Sequence, residues 1–190
     1  MQKVIIEEEK QIFDNFFKVY KARLQFEKFD GTISPSVERL NFRRSDAVAA
    51  LIYNEDTNKI ILINQFRYPT LEKDTGWITE IVAGMIDEGE TPQEAIEREV
   101  LEEAGYKSIG SRLICSFYST PGGSSERINL FFINVNNNSR INNGGGLQNE
   151  GEDIKIMEFS LEEVKELIDN GKIFDAKTII ALQWFMLNKN

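Results

Sequence analysis

Three glutamates, Glu99, Glu102 and Glu103, are the residues of this chain best placed to do chemistry together. On an α-helix at 100° per residue they fall within about 100° of arc, so their carboxylates share one face. Like charges one turn apart cost a few tenths of a kcal/mol each. Arg98 can offset part of that cost, since Glu94 and Glu102 each lie one turn from it. What remains is a cluster of carboxylate oxygens, the donor set that hard divalent cations prefer, Mg²⁺ above all. Cations held this way clamp phosphate oxygens and lower the pKa of an attacking water. The plain alternative is a solvated acidic helix face, the usual meaning of a glutamate run.

The helix that would carry these groups is marked at both ends. Thr91 is an N-cap, Pro92 takes the first helical position, and Glu94 completes a capping box. Gly105 supplies a left-handed stop. Ile96, Val100 and Ala104 form one apolar stripe that must face a core. Around this helix Gly84, Glu90, Arg98, Glu99, Glu102, Glu103 and Gly105 keep a fixed spacing. Seven fixed positions at roughly one in fifteen each make a chance match on the order of 10⁻⁸ per start site. The spacing is that of the Nudix box, and the chain resembles the Nudix hydrolases. Tyr106 stands where that family usually has an aliphatic residue, but it is bulky and apolar too.

Composition narrows the classes. The chain has 190 residues, 41% apolar and 28% charged, enough for one well-buried core and a small appended subdomain. A net charge of −9 argues against non-specific binding to nucleic acid or to an anionic membrane. No apolar run approaches the ~18 residues of a membrane span and no signal peptide opens the chain, which points to the cytoplasm. The single cysteine, Cys115, excludes an internal disulfide and reads as a core thiol. Histidine is absent, so acid–base chemistry must fall mainly to carboxylates.

In chain order, residues 1–46 read as strands. Tyr20, Ala22, Leu24 and Phe26 alternate with charged and polar neighbours, Asp30-Gly31 marks a tight hairpin turn, and Val37 to Arg44 returns. Ala47–Tyr53, Ile60–Phe66 and Ile78–Ala83 fit buried strands, as do Arg112–Tyr118, Ile128–Val135 and Ile154–Phe159. Residues 136–151 are rich in Asn and Gly and lack apolar periodicity, so they read as a functional loop or lid. Ser160 with Glu163 caps a helix ending at Gly171, and Asp175 opens a last one. The irregular alternation predicts an α/β fold, a layered α/β/α domain. The resemblance makes this a Nudix-type sandwich with a mixed sheet over 47–190, preceded by an antiparallel β subdomain over 1–46. That subdomain would serve dimerisation and contacts to a substrate base.

The likeness reaches beyond the box. Gln65-Phe66-Arg67, Ala83–Glu90, Pro121–Arg127, Glu152-Asp153-Ile154 and Gly171–Trp184 resemble the ADP-ribose pyrophosphatase and GDP-mannose hydrolase branch of the family. Pro121, sixteen positions after Gly105, stands where ADP-ribose enzymes carry a proline, while the triple glycine Gly144-Gly145-Gly146 is closer to the GDP-mannose enzymes. The resemblance implies hydrolysis of a nucleoside diphosphate sugar: ADP-ribose to AMP and ribose 5-phosphate, or alternatively GDP-mannose to GMP and mannose 1-phosphate. A Nudix-fold ligand sensor without catalysis is a further alternative, and the intact glutamate set argues against it.

Matching position makes Glu99 and Glu103 the principal ligands of Mg²⁺, with Mn²⁺ as the alternative ion. Glu102 would be an auxiliary ligand and Ala83 a backbone one. Arg98 would orient the glutamates, and Glu90 would serve either the helix dipole or the order of the site. The general base would be Glu152 on a mobile loop, with Glu150 and Asp153 as rivals. Arg67 is a candidate phosphate or ribose contact through its planar fork, or the partner of a carboxylate. Glu126, Gly122, Gly123 and Arg44 are further candidate substrate contacts. Asn64 stands where many relatives have Arg. The family's usual assembly implies a homodimer.

Overall fold

The computed structural model describes residues 2–188, apart from the side chain of Glu150. Two compact units divide the chain: Met1–Ser45 with Tyr118–Arg127, and Asp46–Phe117 with Ile128–Asn190. In the first, β1 (Val4–Asp14), β2 (Lys18–Phe26) and β3 (Val37–Arg43) form an antiparallel sheet in that order. Asp30-Gly31 does turn, with Gly31 at φ +81° and Asp30 accepting the Thr32 N–H at 2.9 Å. It closes the tight hairpin that the sequence suggests: the Lys28 N–H donates to the Thr32 carbonyl at 2.8 Å, the Gly31 N–H to the Lys28 carbonyl at 2.9 Å, and Glu27 bridges Ile33 antiparallel. β3 starts only at Val37, because Ser34 is first tied back to β2 through the Phe26 N–H, 3.0 Å from its Oγ. Val4, Ile6, Phe13, Phe16 and Leu40 stay more than half exposed. Three strands alone cannot bury them.

The second unit is built on alternation. β4 (Ala47–Asn54) and β5 (Lys59–Phe66) run antiparallel at the centre of a seven-stranded sheet. Val48, Ala50, Ile52, Ile61 and Ile63 face one core, while Ala49, Leu51, Tyr53, Ile60 and Leu62 face a second. Successive strand residues point to opposite faces, so an apolar run with no polar partner must be covered on both. Helix α1 (Pro92–Glu99) covers the first, through Ala95 and Ile96 and then Val100 and Ala104 just beyond it. The second is covered by α2 (Leu161–Asp169) and α3 (Ala176–Asn188), through Val164, Ala181, Leu182 and Phe185. The sheet order is β10-β5-β4-β9-β8, with β8 at Gly110–Tyr118, β9 at Arg127–Val135 and β10 at Lys155–Phe159. β4 and β9 are parallel and β5 and β10 antiparallel, so the sheet is mixed and the layers are α/β/α.

Three details depart from the sequence reading, and each bears on the site. The strand expected over 78–83 is two: β6 (Trp77–Glu80) pairs with β5, and β7 (Val82–Met85) pairs with β4. The chain changes partner at Ile81, whose N–H leaves the ladder for Thr178 Oγ1 at 2.9 Å. The acidic helix is not α-helical throughout. After Glu99 it widens into one π-helical turn, Val100–Ala104, and the Gly105 N–H reaches back to Val100 and Leu101. Such widened turns concentrate at functional sites. Residues 136–151 hold two 3₁₀ turns, Asn137–Ser139 and Gln148–Glu150, in place of a featureless loop. Among the described residues, no helix is long and apolar enough to cross a membrane.

Candidate functional site

The apolar stripe fixes where the carboxylates point. Ile96, Val100 and Ala104 are fully buried, as their spacing predicts. Burying an Ile or Val is worth ~1.5–3 kcal/mol, far more than the few tenths lost per like-charge pair, so the stripe decides the helix orientation. The carboxylates are thereby laid against β7. A Cβ on Gly84 would overlap the Glu99 carboxylate where it lies, so any other residue here would push that side chain away from the strand. Glu103 is 2% exposed and accepts the Ala83 N–H at 3.2 Å. Burial pushes its carboxyl up to about 8, and the charges of Glu99 and Glu152 add to the push, against the Ala83 N–H and Arg67. Glu99 is also raised by burial, with the Arg98 guanidinium opposing and the charges of Glu102 and Glu152 adding.

Arg98 is the hub of the patch. It grips Glu90 with two bonds, Nε to Oε1 at 2.9 Å and Nη2 to Oε2 at 3.0 Å. Its Nη1 donates to Glu99 at 2.8 Å and to Glu102 at 3.2 Å, and its Nη2 also donates to the Met85 carbonyl. The bond from Arg98 brings the Glu90 carboxyl down to about 2, with the Asp87 N–H helping. Glu94, expected beside Arg98, instead turns back to the Thr91 N–H at 2.8 Å and completes the capping box. One carboxylate cannot serve both, and the cap holds it. Glu90 thus pairs with Arg98, the geometry expected of the ordering role that is one of its two alternatives in the sequence.

The segment carrying Glu152 is docked onto the end of this helix. Gly145 N–H donates to the Glu103 carbonyl at 2.9 Å and Gly146 N–H to the Glu102 carbonyl at 3.2 Å. Gly144, Gly145 and Gly146 all take positive φ, and a Cβ on Gly144 would crowd the Glu103 carbonyl. Glycine is what lets backbone approach backbone this closely. Glu152 closes the loop by accepting the Leu147 N–H at 2.9 Å. Its charge is among the main ones acting on both Glu99 and Glu103, whereas Asp153 is exposed and not among the main ones on either. The side chain of Glu150, the other rival, lies outside the described residues.

Arg67 donates from Nε to Glu80 Oε1 at 2.8 Å, and Glu80, fully buried, also takes Lys177. Arg67 has the carboxylate partner that is one of its two alternatives in the sequence, but Glu80 and Lys177 escape sequence reading, because nothing in Trp77–Glu80 distinguishes a buried acid from an exposed one. Nor did Gln65 stand out for its amide, whose Nε2 is buried without an acceptor among the described residues. In the first unit Arg44 Nη1 and Glu126 Oε1 pair at 3.2 Å, and Arg44 lies 5.1 Å over the Phe17 ring. Gly123 accepts the Phe42 N–H at 2.8 Å, with Gly122 beside it in the same turn. The candidate residues thus fall into two sets, Arg44, Gly122, Gly123 and Glu126 in one unit and Ala83, Glu99, Glu102, Glu103, Arg98, Arg67 and Glu152 in the other.

Among the described residues, no three Asp, Glu or Cys groups converge as a finished ion cage. The carboxylates instead face N–H donors: Arg98 for Glu99 and Glu102, Ala83 for Glu103, Leu147 for Glu152. Mutually repelling acids have no reason to close further without a cation. The donor set is all oxygen, with no thiol or imidazole, and one of its members is buried at a raised pKa. Those features fit a hard divalent cation. A measurable consequence follows for metal-free protein. The unfolded chain releases the Glu103 proton near 4.5 and the folded chain only near 8. The folded state therefore binds more protons between these values, and stability falls as pH rises through that window. Thermal unfolding in a chelator should show this slope, and Glu103→Gln should flatten it.

Fold and patch together define a hydrolase class, and the comparisons name it: residues 43–182 match the NUDIX domain. The chain belongs to the Nudix family, whose hydrolases generally need a divalent metal. It is 34% identical over 180 residues to the ADP-ribose pyrophosphatase of Escherichia coli (strain K12), covering 93% of this chain and 85% of that one. It is 31% identical over 189 residues to the GDP-mannose pyrophosphatase of Shigella flexneri, covering 98% and 97%. A solved structure titled "Crystal structure of ADP compounds hydrolase" superposes with a TM-score of 0.74 at 20% identity, over 98% of this chain and 96% of that one. That likeness establishes the fold.

Proposed function

We propose that the protein hydrolyses the pyrophosphate bond of a nucleoside diphosphate sugar with Mg²⁺, and that its preferred substrate is ADP-ribose. The observation that carries this reading is the pair Glu99 and Glu103 laid against Ala83-Gly84, with Glu102 joined to them through Arg98 and Glu152 near enough for its charge to be felt. When bound, Mg²⁺ or Mn²⁺ neutralises phosphate charge and lowers the pKa of the attacking water. Glu99 and Glu103 are its principal ligands, Glu102 an auxiliary one and the Ala83 carbonyl a backbone one. Arg98 keeps Glu99 and Glu102 oriented, as its hydrogen bonds suggest.

Glu152 accepts the proton of the attacking water, whose oxygen bonds to phosphorus as the bridging P–O bond breaks. Arg67 receives a phosphate oxygen, and Arg44, Gly122, Gly123 and Glu126 contact the substrate. The products are AMP and ribose 5-phosphate. A second reading, GDP-mannose cleaved to GMP and mannose 1-phosphate, is favoured by the relatives matched over 97% of their length. Chromatography of products from ADP-ribose, GDP-mannose and other sugar nucleotides under Mg²⁺ separates the two. ADP-ribose should give the highest kcat/KM. Preference for GDP-mannose selects the second reading, and cleavage of none sinks both.

A homodimer joined through residues 1–46 is supported by the apolar side chains left exposed on β1–β3. Light scattering should give twice the chain mass, and a stable monomer at micromolar concentration contradicts it. The free Cys115 accords with a reducing cytoplasm.

A further inference from the structure

Glu80 has no solvent exposure, and a buried carboxylate is tolerated only when it is fully paired. Here each oxygen has its own cation: Oε1 takes Arg67 Nε at 2.8 Å, and Oε2 takes Lys177 Nζ. Lys177 in turn meets Asp175 Oδ1 at 3.1 Å. Asp175 opens α3, accepting the Thr178 N–H at 2.9 Å and its hydroxyl at 2.6 Å. The Thr178 oxygen then receives the Ile81 N–H at the point where the strand changes partner. The first turn of α3 thus braces Arg67 through the half-buried Lys177 and the buried Glu80.

The way Arg67 is held matters. Glu80 uses only its Nε, and among the described residues no acceptor takes a hydrogen bond from Nη1 or Nη2. The side chain is 39% exposed, and its charge is felt by Glu103. An arginine fixed by Nε keeps its terminal nitrogens for a second, planar partner, and phosphate is the anion that fork fits. Two residues earlier, the buried Gln65 Nε2 is another donor without an acceptor, on the strand face shared with Ile61 and Ile63.

We infer that Lys177 and Glu80 are positioning residues that hold Arg67 with its terminal nitrogens presented to the substrate's diphosphate. This rests on the diphosphate chemistry proposed above. Lys177 does its part by occupying the second oxygen of Glu80. Without it the carboxylate is free to turn and take Arg67 through both Nε and Nη, the fork-to-fork pairing that carboxylates favour. The nitrogens meant for phosphate are then consumed inside the protein.

The test is a double-mutant cycle read by calorimetric binding of inorganic pyrophosphate in Mg²⁺. Arg67→Ala should weaken binding by about 10–100-fold, the range of a hydrogen bond to a charged group. Lys177→Met should weaken it by about 3–10-fold in the native background and by nothing further in the Arg67→Ala background, since coupled residues are non-additive. Lys177→Arg, which keeps a cation for Glu80, should recover most of the affinity. A purely structural role for Lys177 lowers the unfolding temperature in both backgrounds and leaves pyrophosphate binding alone.

Wild-type affinity in Lys177→Met, or a loss that persists undiminished beside Arg67→Ala, overturns the inference, as does native protein that binds no pyrophosphate. Should Lys177→Met fail to fold, Glu80→Gln runs the same cycle with side-chain shape preserved. Because no turnover is read, a protein that cleaves no sugar nucleotide would fail the functional proposal while the cycle still judged the brace.

Discussion

Glu103→Gln should fold as well as the native protein and lose about 10³-fold in kcat, since a metal contributes several kcal/mol of transition-state stabilisation and each 1.36 kcal/mol is tenfold. The amide keeps the shape of the side chain and an oxygen to accept the Ala83 N–H, 3.2 Å away in the native protein. What it lacks is the charge. In metal-free protein that charge is a liability, because burial opposes it and the Glu99 and Glu152 charges oppose it further. The variant should therefore unfold at an equal or higher temperature than the native protein in chelator above pH 8. Loss of activity with gain of apo stability is the signature of a group kept for its cation. Glu99→Gln should behave alike in turnover, but it also leaves the Arg98 guanidinium a neutral acceptor in place of a charged one, so its stability gain should be smaller. Native turnover in both variants at saturating Mg²⁺ rejects the assignment.

The second large effect is expected at Glu152. Its replacement by Gln should lower kcat by about 10²–10⁴-fold, the usual range for a general base, with KM little changed because the group acts chiefly in the transition state. The loop should survive, since the amide oxygen can still accept the Leu147 N–H. Glu150→Gln and Asp153→Asn should be milder. Steady-state kinetics of the three variants decide the matter, and a crippled Glu150→Gln beside a near-normal Glu152→Gln would move the base to Glu150. The docking of Gly145 and Gly146 on the Glu103 and Glu102 carbonyls ties the Glu152 segment to the acidic helix by its backbone.

Much of this arrangement is legible in the sequence because local chemistry dictates it. The capping box at Thr91, the stop at Gly105 and the stripe of Ile96, Val100 and Ala104 each depend on neighbours a turn away. The central strands are equally plain, since two adjacent apolar runs cannot avoid a doubly covered sheet. What escaped was set by distant parts of the chain. The break at Ile81 needs Thr178 to receive its N–H, and the burial of Glu80 needs Lys177 and Arg67. Arg98 had several glutamates within reach by spacing, and only the competing claim of the Thr91 cap on Glu94 sends it to Glu90. The π-helical turn is a similar case, for helical periodicity alone does not register one residue of widening. The triple glycine signalled an unusual backbone but not the carbonyls it would meet.

If the Glu99–Glu103 patch acts through a divalent cation on a diphosphate, turnover must follow the ion. AMP release from ADP-ribose, followed as Mg²⁺ is titrated into chelator-treated native protein and Glu103→Gln, tests it most directly. No release is expected without the ion, with a saturating rise in the native protein and a rise about 10³-fold lower in the variant. Release that proceeds at full rate in chelator, or that rises equally in both proteins, would contradict it.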